Sequence, residues 1–234
     1  MAHGQVNDLK RLGLMIGHEI DLLGNYPKAK RDLSERLAEK TEEVRAIARR
    51  FDQEFFDGDR KHGYGGFNYN PKYWEPVIPD FEAHYGSLVG KSVLDVGCAK
   101  GFMLFDMTRL IPNLKVAGLD ISRYAIEHSL PEVKPHLVVG DAKSLPYASE
   151  CFDLVISINT VHNLELEECK AAIQEISRVS KGSAFITVDA YSNEEERERM
   201  MAWNLTAKTI LSVDDWRSLF EETGYEGDFF WFIP

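Results

Sequence analysis

Three aspartates that close short apolar runs carry the first chemistry in this chain. Ser92-Val93-Leu94 leads into Asp95-Val96, and Gly97-Cys98-Ala99-Lys100-Gly101 follows at once. Glycines let backbone approach a ligand closely, and a helix starting behind such a turn offers unpaired N–H groups. The segment therefore reads as a nucleotide-type cradle at the carboxyl end of a parallel strand. Its spacing is not G-x-G-x-x-G, because three residues separate the two glycines. Asp120, in Gly118-Leu119-Asp120-Ile121-Ser122, lies about twenty residues further on, where one carboxylate can accept from both hydroxyls of a ribose. A bare helix cap is the other use of Asp120, and Ser122 is the better cap. Asp141 follows in Val139-Gly140-Asp141-Ala142, and Asn159 and His162 follow the run Leu154–Ile158.

These residues need elements that bring them to one edge. Strands are expected at Ser92–Val96, Lys115–Leu119, Pro135–Val139, Cys151–Ile158 and Ser183–Val188, with helices at Met103–Leu110, Ala125–His128 and Glu167–Val179. Apolar strands alternating with helices imply a parallel sheet covered on both faces, with all carboxyl ends on one edge. Ligands bind at that edge. Further on, a helix is expected over Glu194–Asn204, a strand over Thr206–Leu211, a helix over Asp214–Glu222 and a last strand over Phe229–Ile233.

The four strand-end segments, in this order, resemble the class I S-adenosylmethionine-dependent methyltransferase superfamily. Asp95 with Gly97-Cys98-Ala99-Lys100-Gly101 is similar to its motif I, except that Ala99 stands at the middle glycine. Cys151-Phe152-Asp153-Leu154-Val155 is similar to motif IV. The resemblance implies an α/β, Rossmann-like class I methyltransferase fold: a mostly parallel sheet with helices on both faces, plus a helical N-terminal extension. It implies S-adenosyl-L-methionine as cofactor and S-adenosyl-L-homocysteine as product. Asp95, Gly97, Cys98, Ala99 and Gly101 would hold the amino acid part, Asp120 and Ile121 the ribose, and Asp141 and Ala142 the adenine. Asn159 would stand where the methyl is transferred. The same family ends its sheet with an antiparallel hairpin, whereas here a helix separates the last two strands.

The implied reaction is in-line displacement at the sulfonium methyl, in which the protein mainly aligns the partners. A neutral hydroxyl or an ammonium acceptor needs a base. His162 is the base by type and place, or else it orients substrate or merely packs in a strand-to-helix turn. Asp189 and Tyr191, after strand five, reach the same edge. With His162, Asn159 and Tyr64 complete the catalytic candidates. No metal ligand set is expected.

Residues 57–74 alternate glycine, aromatic and basic residues. Arg60, Lys61, Tyr64, Tyr69, His162 and Tyr191 are the candidate substrate contacts, because arginine forks onto oxyanions and tyrosine hydroxyls can join it. The expected organisation is a helical extension or cap over 1–57, a lid loop over 58–76 and the Rossmann-like domain over 77–234. Two amphipathic patterns build the cap. One runs through Leu9, Leu12, Ile16, Ile20 and Leu23; the other runs through Leu33, Leu37, Val44, Ile47, Phe51 and Phe55. A lid, or a dimerisation arm and so a homodimer, is the sharper reading of these helices.

Lys+Arg 27 against Asp+Glu 38 gives a formal net charge of -11. That opposes a nucleic acid partner, since phosphate backbones are held by basic surface. No apolar run suits a bilayer span. Three scattered cysteines fit reduced thiols in the cytoplasm. The expected acceptor is therefore a small polar molecule, anionic through a phosphate or carboxylate, or a sugar intermediate. A non-catalytic cofactor-binding protein and a protein methyltransferase are the rival readings.

Overall fold

The computed structural model describes residues 17–27 and 40–234. Seven strands form one sheet: β1 Ser92–Val96, β2 Lys115–Asp120, β3 Leu137–Val139, β4 Leu154–Ile158, β5 Ala184–Tyr191, β6 Leu211–Ser212 and β7 Asp228–Phe232. Their order is β3-β2-β1-β4-β5-β6, with β7 also on β5, and every pairing is parallel. The helices are α1 Glu42–Ala48, α2 Gln53–Phe56, α3 Ile78–Tyr85, α4 Phe102–Leu110, α5 Arg123–Glu127, α6 Leu166–Val179, α7 Glu194–Trp203 and α8 Val213–Thr223.

Alternation along each strand divides the core into two layers. Leu94, Val96, Val155, Ile186 and Val188 face one layer, closed by α6 and α8. Val93, Leu154, Ile156 and Phe185 face the other, closed by α3 and α4. Helix α6 buries Cys169, Ala172, Ile173, Ile176 and Val179, a helical-period stripe that leaves its charged face outside. Strands β4 and β5 are buried on both faces, as the uninterrupted apolar runs require.

The end of the sheet departs from the family's antiparallel hairpin, in keeping with the helix expected between the last two strands: α8 carries the chain back, so β7 runs parallel to β5 in the register Phe185↔Asp228 to Asp189↔Phe232. Three expectations change. The strand expected over Thr206–Leu211 shrinks to Leu211–Ser212, because the preceding residues turn to pack against the β4 end. The helix expected through Ile20 and Leu23 is instead an extended strap and a turn. Ile20 N donates to Phe229 O (2.9 Å) and Phe229 N to His18 O (3.0 Å), which adds an edge beside β7. Leu9, Leu12, Ile16, Leu33 and Leu37 lie outside the described residues. In the second pattern, Phe51 adopts a left-handed φ of 49° and breaks the helix between α1 and α2. No helix among the described residues is long and apolar enough to cross a membrane.

Candidate active site

The strand carboxyl ends open into a cavity of about 1260 Å³. Its floor includes Asp95, Gly97, Cys98, Ala99, Asp120, Ile121, Asp141, Ala142, Asn159, His162 and Asp189. Its other walls come from the strap, from residues 49–67 and from residues 203–208.

Gly97 has φ 88°, and a Cβ there would stand 2.0 Å from Thr160 Oγ1. Only glycine admits this crossing of β1 and β4 ends. Ala99, at the place of a family glycine, holds φ 50° all the same. Its N–H donates to Asp120 Oδ2 (2.7 Å), and Ser122 N–H donates to Asp120 Oδ1 (2.8 Å). Asp120 is thus aimed by two backbone donors, while Ser122 Oγ caps α5 through Ala125 N. Burial raises the Asp120 carboxyl, and the Ser122 and Ala99 N–H groups partly offset it. Asp95 is only 5% exposed, and its carboxyl makes no hydrogen bond among the described residues. Burial, with the Asp120 charge adding, pushes it up to about 8. Gly101 lies outside the cavity lining and turns the chain into α4 with φ 71°. Asp141 accepts from Lys143 N (3.0 Å) and keeps its place on the lining.

Lys100 is buried and points away from the cavity floor. Its ammonium donates to Asp57 Oδ2 (2.7 Å), Asp57 Oδ1 (3.0 Å) and Phe67 O (2.9 Å). Phe67 N and Tyr124 OH also donate to Asp57, each at close range (2.9 and 2.8 Å). Burial raises the Asp57 carboxyl, but the Lys100, Phe67 and Tyr124 bonds hold it below its ordinary range. This knot ties the 57–67 segment to the cradle and to α5. Above it, Tyr64 stacks on Phe56 (centroids 5.9 Å apart) and meets Phe67 at a tilt (4.1 Å), and Phe67 meets Phe102 (4.9 Å). Nothing in the sequence pairs Asp57 with Lys100 or Tyr124, which lie far along the chain.

The expected basic contacts divide. Arg60 and Tyr64 line the cavity, but Arg60 Nη1 donates to Gly63 O and Tyr64 O and so binds its own loop. Lys61 pairs with Asp59 on the exposed side. Tyr69 turns away from the cavity to the buried Asp106 carboxylate, and Arg109 donates to its hydroxyl (2.9 Å). Burial and the Asp106 bond push its phenol up to about 12. Tyr191 lines a separate hollow of about 400 Å³ beside Arg217. Lys61, Tyr69 and Tyr191 therefore do not reach the cavity. Residues that local pattern did not single out do: Arg49, whose Nε donates to Thr206 O (3.3 Å), and the 203–208 segment.

At the β4 end, Asn159 holds φ 51° and donates its N–H to Thr187 O (3.0 Å), while Thr187 Oγ1 donates to Asn159 Oδ1 (3.0 Å). His162 is buried. Lys208 N and Thr209 N donate to its carbonyl, both at 3.0 Å. Its Nδ1 accepts from Asp189 N–H (2.8 Å). Burial lowers the imidazole, against the pull of the Asp189 charge.

A family model described as "Methyltransferase domain" matches residues 88–224, which contain β1 to β6 and the whole cavity floor. The chain belongs to this methyltransferase family. The family is that of the class I S-adenosylmethionine-dependent methyltransferases, whose cofactor is S-adenosyl-L-methionine. Among curated relatives, a tRNA (carboxymethyluridine(34)-5-O)-methyltransferase of Arabidopsis thaliana is 34% identical over 131 residues, 54% of this chain and 30% of that protein. A malonyl-[acyl-carrier protein] O-methyltransferase of Legionella pneumophila is 24% identical over 124 residues, 51% of this chain and 43% of that one. The chain thus spans less than half the length of these two relatives. Among solved structures, Phospholethanolamine N-methyltransferase 2 of Haemonchus contortus, in complex with phosphomonomethylethanolamine and S-adenosylhomocysteine, covers 75% of this chain and 44% of its own. It superposes with TM-score 0.54 at 15% identity, which shows a shared fold.

The cofactor fits these residues. Asp95 presents a buried carboxyl with no hydrogen-bond partner among the described residues, suited to an ammonium. Asp120 is pre-aimed, with oxygens able to accept a second hydrogen bond each. The Ala99 and Lys100 departures from the family loop leave the cradle intact: Ala99 keeps the left-handed turn, and Lys100 serves the roof. Among the described residues, no group of three or more His, Cys, Asp or Glu side chains could hold a metal ion.

Proposed function

We propose that this methyltransferase methylates a small polar metabolite held beside the cofactor under the 57–67 segment. The observation that carries the reading is the cavity. Pockets for drug-sized ligands run to about 300–1,000 Å³, and about 1260 Å³ leaves room for a cofactor and a compact acceptor together. Its walls close around that volume from the strand ends, the strap, the aromatic roof and the 203–208 segment.

Asp95 would hold the ammonium of the cofactor, Asp120 its ribose, and Asp141 with the Ala142 N–H its adenine. The cofactor supplies an activated methyl, so the protein contributes alignment and charge placement. Tyr64, Phe56 and Phe67 would exclude water above the reacting end. Asn159, His162 and Asp189 supply the polar groups there. An acceptor bearing a phosphate or carboxylate would find its cationic contacts in Arg49 and Lys208, both on the lining.

The relative named for tRNA modification raises a second reading, in which RNA is the acceptor. A formal net charge of -11 disfavours it, because duplex and loop backbones are held by basic surface. Incubation with methyl-labelled S-adenosylmethionine and separated small-molecule, RNA and protein fractions of a cell extract tests the proposal. Label in the small-molecule fraction, matched by S-adenosylhomocysteine release, is expected. Label confined to RNA or protein would overturn it.

A further inference from the structure

His162 is fixed in one protonation pattern by the backbone. Its Nδ1 accepts from the Asp189 N–H at 2.8 Å, so Nδ1 holds a lone pair and the ring's single proton sits on Nε2. Protonating Nδ1 would set two N–H groups head to head at hydrogen-bond distance. A neutral ring with its proton on Nε2 cannot take another proton without losing that bond. His162 Nε2 makes no hydrogen bond among the described residues, and the ring lines the cavity. It therefore offers the cavity a donor, not a base.

Beside it stands a carboxylate with the opposite character. Asp189 stands within β5, two residues before its end, lines the same cavity, and its side chain is 11% exposed. Its backbone is fully engaged: the N–H on His162 and the carbonyl on Trp216 Nε1 (3.0 Å). Its carboxyl oxygens make no hydrogen bond among the described residues. The nearest approach to His162 is 3.9 Å, from Oδ1 to Nδ1, and lies between two acceptors.

We infer that Asp189 takes the acceptor's proton during methyl transfer and that His162 is a fixed Nε2–H donor holding the acceptor atom or its neighbour. The inference rests on the methyl-transfer reading above. The acceptor is then a hydroxyl or a protonated amine. A protonated amine first gives its proton to an Asp189 oxygen, which frees the nitrogen lone pair; a hydroxyl gives its proton to that oxygen as its O–C bond forms. In either case the lone pair bonds to the methyl carbon as the S–C bond breaks, the S–C bonding pair stays on sulfur, and Asp189 later passes the proton to water. Burial supports the role by raising the Asp189 carboxyl toward the range where a base works near neutral pH. Among the described residues, the charged group that opposes that rise is Lys40, whose ammonium is held by Ala202 O (3.3 Å); His162, held neutral by the Asp189 N–H, carries no charge to oppose it.

Two measurements test this on the full chain. The first uses no acceptor: nitrogen NMR of histidine-labelled protein with S-adenosylhomocysteine. The His162 signals should report a bare Nδ1 and an Nε2–H that do not titrate between pH 5.5 and pH 9, in the wild type and in Asp189→Asn alike. Titration near the ordinary histidine value, or a proton on Nδ1, overturns the donor role. The second compares methyl transfer into whichever extract fraction takes label. Asp189→Asn should bind S-adenosylhomocysteine within about threefold of wild type but transfer about 100-fold more slowly or worse, the usual worth of a general base. Asp189→Glu should recover part of the rate with a shifted pH profile. Wild-type transfer by Asp189→Asn, or an unchanged profile in Asp189→Glu, overturns the base role. Loss of S-adenosylhomocysteine binding by the wild type itself would instead defeat the cofactor assignment, a separate failure.

Discussion

Cofactor affinity should rise steeply with pH, and Asp95 is the reason. Its carboxyl is pushed up to about 8 by burial and by the Asp120 charge. An acid with a raised value is neutral below it, whereas the ammonium of S-adenosylhomocysteine is best held by the carboxylate. Binding must then ionise Asp95, so affinity falls as pH drops below about 8 and the complex releases a proton. With the carboxyl half ionised at pH 8 and about 1% ionised at pH 6, the apparent affinity changes by about 50-fold, or roughly 2.3 kcal/mol. Calorimetric titration with S-adenosylhomocysteine at both pH values reads this directly. Repeating the pH 6 titration in buffers of different ionisation enthalpy should reveal about one proton released per ligand. Asp95→Asn should bind weakly and with little pH dependence. An affinity that stays within threefold across the window, with no buffer effect in the wild type, would refute the reasoning.

Further outcomes follow from individual contacts. Asp120→Ala should lower S-adenosylhomocysteine affinity at least 100-fold by calorimetry and also cost stability, since Ala99 N and Ser122 N lose their acceptor, at about 1–3 kcal/mol per orphaned group. Lys100→Met should destabilise the protein by about 3 kcal/mol, the scale for breaking a buried pair, and should expose the 57–67 segment to limited proteolysis at rates well above wild type. Gly97→Ala should be destabilised by roughly 3 kcal/mol or more in denaturant melts, and trimming Thr160 to serine should not rescue it, because φ 88° remains. Asp95→Asn should gain thermal stability relative to wild type as pH rises from 5 to 8. The native Asp95 stays protonated there while the unfolded one ionises, which costs wild type stability that the variant does not lose.

Asp95, Asp120 and Asp141 were readable as a set because each depends on local pattern: an apolar run, a turn and a helix start. The parallel sheet was readable for the same reason, and β1 has the expected bounds. What sequence could not place depends on distant partners. Lys100 is one of the three residues between the loop glycines, and nothing local gives its reason, which is Asp57, brought in from the cavity roof. His162 looked like a base by residue type, yet its tautomer is set by the backbone N–H of Asp189 on a neighbouring strand. Tyr69 and Lys61 share the basic, aromatic composition of Tyr64 and Arg60, but the buried Asp106 and the exposed Asp59 hold them away from the cavity. The strap at residues 18–20 pairs with β7 through backbone groups, which leave no trace in side-chain periodicity.

The crystal structure of the S-adenosylhomocysteine complex tests the account most directly. It should show the ligand ammonium at Asp95, the ribose hydroxyls on Asp120, the adenine against Asp141 and Ala142, and the sulfur facing Asn159, His162 and Asp189. A ligand bound elsewhere, or one whose sulfur faces away from His162 and Asp189, would contradict it.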